Sequence, residues 1–296
     1  MDFFNLISLR SNIMANSAFQ TAYRQEIIAG FEQRQALLRR TVTTESMIKG
    51  GSAVFLVQDS NSAAAVNRGL NGKLPYRSNN LTKSTATLKE WHDPVEITGF
   101  NIFASQGDIL SQMQKDSIGV INRKIDDDII AQADTFTNDT GSATTMSLEL
   151  FLYAKTILGN AEVPADGRVC AVLSPAAMAY LHQTTEFGSS DYVGSKPIQT
   201  GGAFYDDTVK VYDFLGVKVI EHPRLTGAAT SAEKCFMFHE SAIGHAVDTK
   251  GIQSYMDYDE KEDLSWVRNT VYMGSKLLQQ SGGVLINHDG SAFAAQ

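Results

Sequence analysis

The stretch FMFHESAIGH, residues 236 to 245, sets His239, Glu240 and His245 close together in the chain. Imidazoles and carboxylates are the usual ligands and bases of a hydrolytic metal centre. The spacing argues against one. A zinc-peptidase helix places its histidines four residues apart so that both rings share a face, with a glutamate between them as base; here they are six apart. Six helical residues turn through about 600°, which points the two rings about 120° apart. On a strand the rings share a face but stand about 20 Å from each other. The stretch is therefore expected to be a strand and turn with polar edge residues. A metal-dependent hydrolase using His239, His245 and nearby acids is kept as an alternative, to be revived by bound zinc that is lost on mutating either histidine.

Other reactive-looking residues read in the same way. Asp126, Asp127 and Asp128 are consecutive, and consecutive helical side chains point in different directions rather than at one ion. They are expected to form a solvated or neighbour-facing acidic patch. Cys170 in RVCAVL and Cys235 in KCFMF lie inside apolar runs and read as inert buried thiols. The chain has no G-x-S-x-G, no G-x-x-x-x-G-K-[ST], no G-x-G-x-x-G and no C-x-x-C, so no common nucleophile, phosphate or dinucleotide motif is present. The pairs Gly50–Gly51, Gly201–Gly202 and Gly282–Gly283 fall at turn signals. The balance favours a structural protein, not an enzyme, with no cofactor and no metal.

The elements that would carry these residues follow from periodicity. GSAVFLV reads as a strand, residues 58 to 84 as the tip of a long loop rich in Asn, Ser, Gly and Lys, and TATLKEWHDPVEITGFNIFA as a returning strand. If residues 51 to 96 make two arms, each would reach about 65 Å, against a radius of gyration of about 19 Å for a globule of this length. Such a hairpin projects and needs a partner surface. Residues 107 to 136 place Leu110, Met113, Ile118, Ile121, Ile125, Ile129 and Ala133 at near-helical steps, predicting a spine helix of about 40 Å. SLELFLYAKTILGN predicts a second helix with Ser147 as N-cap. After VPADG come a buried strand, RVCAVL, and a helix opened by Ser174 and Pro175. The pair VKVYDFLGVKVIEHP turns around Asp213 to Gly216, and Lys234 to Ile286 reads mostly as strands.

A chain of 296 residues, 43% of them hydrophobic, supports a substantial core. Its net charge of −8 argues against a dedicated nucleic-acid binder. No apolar run approaches the roughly 18 residues of a membrane span, and Asp2 stands where a secretory signal would be basic, so a cytoplasmic site of action is expected. Charge is uneven, with +5 on residues 1 to 92 and −13 on the remaining 204. A basic front and an acidic body suit contact with nucleic acid, with a membrane or with an identical neighbour.

The order of basic arm, long hairpin, spine helix, small α/β subdomain and C-terminal β region resembles the major capsid proteins of tailed phages, with the Hong-Kong-97-like shell fold. Local motifs are similar to those of short-tailed phages in particular: RRTVTTESMIKGGSAVFLV at 39 to 57, VPADGRVCAVLSPAAMAYL at 163 to 181, FLGVKVIEHPRLTG at 214 to 227, and FMFHESAIG at 236 to 244 with its S-A-x-G ending. Together the motifs span about 200 residues in register. The resemblance implies an α+β fold with an N-terminal arm (1–45), an extended loop (46–98), a peripheral domain with the spine helix (99–160), an axial domain (161–233) and returning peripheral strands with the tail (234–296). On this division Phe236 to Phe238 re-enter the peripheral domain.

The implied function is self-assembly into hexamers and pentamers of an icosahedral head that encloses double-stranded DNA by non-specific proximity. Implied partners are further copies of the chain, a separate scaffolding protein and a portal protein at one vertex, with no membrane, and with assembly in the host cytoplasm. A cellular nanocompartment shell of the same fold is the alternative. Arg34, Arg39 and Arg40 near the arm, and Arg68, Lys73, Arg77 and Lys83 on the loop, are the expected intersubunit contacts.

Overall fold

The computed structural model describes residues 32–48, 50–59, 64–68, 72, 74, 76, 80–104, 108–188, 199–202 and 205–293. In chain order its strands and helices are β1 (Thr43–Ile48), β2 (Ser52–Asp59), β3 (Asn80–Thr87), β4 (Lys89–Thr98), α1 (Gly99–Ala104), α2 (Ile109–Ala133), α3 (Leu148–Asn160), β5 (Val169–Leu173), α4 (Pro175–Gln183), α5 (Thr185–Gly188), β6 (Gln199–Gly202), β7 (Tyr205–Phe214), β8 (Val217–Glu221), β9 (Glu233–His239), β10 (Ile243–Asp248), β11 (Gln253–Asp259), β12 (Leu264–Leu277) and β13 (Gly283–His288).

Two sheets organise the described chain. A five-stranded sheet runs β1-β10-β12-β11, with β4 also pairing β12. A six-stranded sheet runs β13-β9-β5-β8-β7-β6. The spine helix α2 starts where Asp108 accepts a hydrogen bond from the Ser111 N–H at 3.2 Å, a cap of about 1 kcal/mol. It buries Ile121, Ile125, Ile129, Ile130 and Ala133. These residues and the fully buried β5 belong to one continuous core that spans both sheets. Ser147 and Ser174 cap α3 and α4, accepting from the N–H of Leu150 and Ala177. β7 and β8 join through Leu215 and Gly216 as a tight hairpin, with Phe214 opposite Val217.

Four expectations are corrected. Among the described residues β2 and β3 pair over eight residues, Ser52↔Thr87 to Asp59↔Asn80, about 26 Å, so the returning arm of the hairpin does not run on to residue 96. The remainder of the returning arm is β4, which leaves the hairpin at Leu88 and pairs β12 from Lys89↔Met273 to Thr98↔Leu264. Phe236 to Phe238 do not re-enter the peripheral layer: β9 pairs β5 and β13 inside the six-stranded sheet, and the chain crosses to the other sheet over Glu240–Ala242. His245 is no edge residue, since β10 lies between β1 and β12 and the ring is fully buried. The acidic triplet is not wholly solvated either, because Asp126 is fully buried, turned inward beside Ile125 and Ile130.

Candidate intersubunit interface

The hairpin β2–β3 rests on the five-stranded sheet by its root. Ala53, Phe55 and Ala86 form a small buried cluster with Ala246 of β10. The Phe55 ring lies over Gly244, where a Cβ would meet ring carbons at 2.9 to 3.0 Å. The Thr87 carbonyl passes over Gly274 of β12, where a Cβ would lie 2.2 Å from the oxygen. Bare backbone at these two positions is what lets the hairpin seat. Gly244 closes the S-A-x-G of the opening stretch, and its role is to admit Phe55.

The opposite face of the hairpin is open. Val54, Leu56 and Leu81 are more than half exposed, and Lys83 stands opposite Leu56 on the same face. An apolar, two-stranded ribbon of this kind is marginal in water unless something covers it. Nearby in sequence, α1 presents Phe100 and Phe103 at 72% and 87% exposure. These apolar positions were missed from the sequence, although GSAVFLV offered a signal: its run is apolar at both parities, as in a strand covered on both faces.

Those of the basic residues expected at the interface that are described lie on several separate segments. Arg34 is held on its own spine helix by Asp116 at 2.9 Å. Arg39 and Arg40 lie in a 3-10 turn, Arg39–Thr41, and line a cleft of about 890 Å³ with Val42, Thr44, Arg168 and Glu240. Arg68 and Lys83 are exposed. Lys73 and Arg77 lie outside the described residues. A counter-charge stands at the far end of β12, where the β11–β12 turn exposes Asp257, Asp259, Glu260, Glu262 and Asp263 against Lys261. Beside it Glu96, Leu264, Trp266 and Arg268 border a groove of about 500 Å³.

Both histidines of the opening stretch bind neighbouring side chains. His239 Nδ1 contacts Ser241 Oγ at 2.9 Å and Nε2 contacts Asp166 at 3.2 Å. Burial pushes the Asp166 carboxyl up, but the Arg168 N–H, the His239 ring and the Arg168 guanidinium outweigh it and hold the group below the usual carboxylate range. His245 Nδ1 contacts Ser275 Oγ at 3.0 Å. Burial, helped by Arg39 and opposed by Asp128 and Asp126, lowers its pKa to about 4. The two rings sit in different sheets, and among the described residues no group of three or more His, Cys, Asp or Glu side chains could hold a metal ion. Burial pushes the Cys170 thiol far up and Cys235 to about 12. No helix among the described residues is long and apolar enough to cross a membrane.

Comparison with known proteins gives this geometry its family. No curated protein sequence matches the chain. A chain from Mycobacterium phage Che8 superposes with a TM-score of 0.70 at 16% identity, covering 92% of this chain and 98% of that one. A chain from the capsid of a native GTA particle gives 0.67 at 12% identity over 94% and 98%. The capsid of Ralstonia phage GP4 gives 0.67 at 11% identity over 93% and 96%. At these identities the likeness shows the fold, an α+β Hong-Kong-97-like shell fold. The sequence itself matches the family described as phage capsid protein over residues 15–290, which does not favour the cellular nanocompartment. The chain therefore belongs to the phage capsid protein family, as a structural major capsid protein of an icosahedral phage head.

Proposed function

We propose that the chain assembles as hexamers and pentamers around double-stranded DNA, that it is not an enzyme, and that the β2–β3 hairpin reaches across a neighbouring copy. The observation that carries this is the hairpin's uncovered face, where Val54, Leu56 and Leu81 lie exposed beside Lys83. Covering each large aliphatic side chain contributes about 1.5 to 3 kcal/mol. Arg68, Lys73 and Arg77 bring three positive charges to residues 60–79 with no acid among them, which suits the acidic β11–β12 turn of another copy. Arg34, Arg39 and Arg40 are proposed to brace the arm side of the contact. In this reading the arm runs to residue 45, the loop spans 46–98, the peripheral domain takes 99–160 and 234–296, and the axial domain takes 161–233, with β9 and β13 joined to the axial sheet. A separate scaffolding protein guides assembly in the host cytoplasm and a portal protein occupies one vertex. Mild repulsion from the acidic body limits adhesion of packaged DNA to the wall. Electron microscopy of the full chain, expressed alone and with its scaffold, tests the reading. Closed shells are expected; discrete subunits under every assembly condition would overturn it.

A further inference from the structure

The spine helix α2 carries two polar seams. Along the first, the arm root at residues 32 to 38 is tied down: Arg123 Nη1 donates to the Glu32 carboxylate and to the Gln33 carbonyl, Arg34 pairs with Asp116, and Asn122 Nδ2 donates to the Arg34 carbonyl at 2.8 Å. Along the second, the chain leaving β8 is tied down: Arg224 donates through Nε and Nη2 to Asp127 at 3.4 and 3.0 Å, and Thr226 Oγ1 donates to Asp134 at 2.7 Å. Asp126 belongs to both seams. Its carboxylate, fully buried, accepts from Gln33 Nε2 and from the N–H groups of Leu37 and Leu38 at 2.9 and 3.0 Å. His222 Nε2 approaches Oδ2 of the same carboxylate at 3.3 Å, with that ring also fully buried. His222 Nδ1 accepts from the Arg224 N–H at 3.2 Å, so the ring proton sits on Nε2 and points at the carboxylate.

We propose that Asp126 is a positioning residue that couples the docking of the arm root to the strand exit at His222. Four donors converge on one buried carboxylate, three from the arm root and one from the exit. A buried charge stripped of part of that set is strongly disfavoured. Each segment therefore holds firmly only while the other holds Asp126 in place, and by reciprocity a displacement of either loosens the other. The arm root and the chain leaving β8 both bind α2, and Asp126 is a side chain on which their hydrogen bonds meet, so the helix passes position between them there. The coupling is a property of the folded subunit and stands or falls separately from the shell assembly proposed above.

Hydrogen exchange of the full chain, followed by mass spectrometry on peptides covering 32–40, 218–226 and β12, tests the coupling. His222→Ala is expected to speed exchange at the Leu37 and Leu38 amides at least tenfold while β12 keeps its wild-type rate. His222→Gln, which restores a donor, is expected to return most of the protection. Gln33→Ala acts from the other side and is expected to speed exchange at the Arg224 amide several-fold. In the double variant Gln33→Ala/His222→Ala, the arm-root acceleration is expected to fall short of the product of the two single effects. Wild-type exchange at 32–40 in a folded His222→Ala protein overturns the proposal. Should His222→Ala accelerate β12 equally, the Gln33→Ala protein decides: faster exchange at 224 supports the coupling, and an unchanged rate there overturns it.

Discussion

His245 lies inside β10, its Nδ1 bound to Ser275 and its Nε2 buried without a partner. A folded pKa of about 4 against 6.5 for the free side chain means that the unfolded chain binds the extra proton first as pH falls. The stability that the neutral ring contributes is thus fully present above about pH 6.5 and is lost as pH falls towards 4, by about 3 kcal/mol in all. Urea unfolding at pH 7 and pH 5 should show this slope in the wild type and a shallower one in His245→Gln. The thiols give a second expectation at this scale. With Cys235 pushed up to about 12 and Cys170 higher still, both should resist iodoacetamide at pH 8 in the folded chain and react once it is unfolded, as peptide mass spectrometry would show. That the thiols are buried is legible in the sequence, because the apolar runs around them are continuous. The buried state of Asp126 is not, because its partners Leu37, Leu38 and His222 are about 90 residues away in the chain and no local pattern brings them together.

At the scale of elements, the hairpin depends on two strands that have no side chain where it crosses them. Phe55→Ala removes the ring that fills the space over Gly244 and should cost about 3 kcal/mol, the lower end for a buried phenylalanine. Gly274→Ala sets a Cβ against the Thr87 carbonyl at 2.2 Å and should cost about 1 to 3 kcal/mol through a forced backbone shift. In both variants the amides of β2 and β3 should lose protection before those of β12, and equal loss throughout would place the hairpin inside the main cooperative unit rather than on it. Local pattern foretold the spine helix, the capping serines and the β7–β8 turn, since each is encoded within a few residues. It did not foretell where β4 and β9 belong. Strand propensity says that residues 89 to 98 are extended but not which neighbour they pair with, and the partner chosen, β12, lies some 175 residues further on.

Over the whole molecule, β12 sets the acidic β11–β12 turn apart from the rest of its sheet. Its fourteen residues, Leu264–Leu277, separate the acidic β11–β12 turn from the end that pairs Ile243 and Gly244 of β10, a span of about 45 Å. The turn cannot be neutralised by the far end of its own strand, and a second copy can supply the positive charge head to tail, in a heterologous contact that closes into rings. Replacing Arg68, Lys73 and Arg77 together by Glu reverses the loop from +3 to −3 and should abolish shells, while circular dichroism and thermal unfolding of the subunit stay as in the wild type, since the described member of this set, Arg68, is exposed. Added salt should slow wild-type assembly, with screening setting in over about 10 Å at 0.1 M. The decisive variant pairs the reversed loop with Asp259→Lys and Glu262→Lys on the turn. If loop and turn meet across subunits, the doubly reversed chain should regain shells by electron microscopy where each half alone fails; failure of the combination, with both halves folded, would move the loop's partner away from this turn.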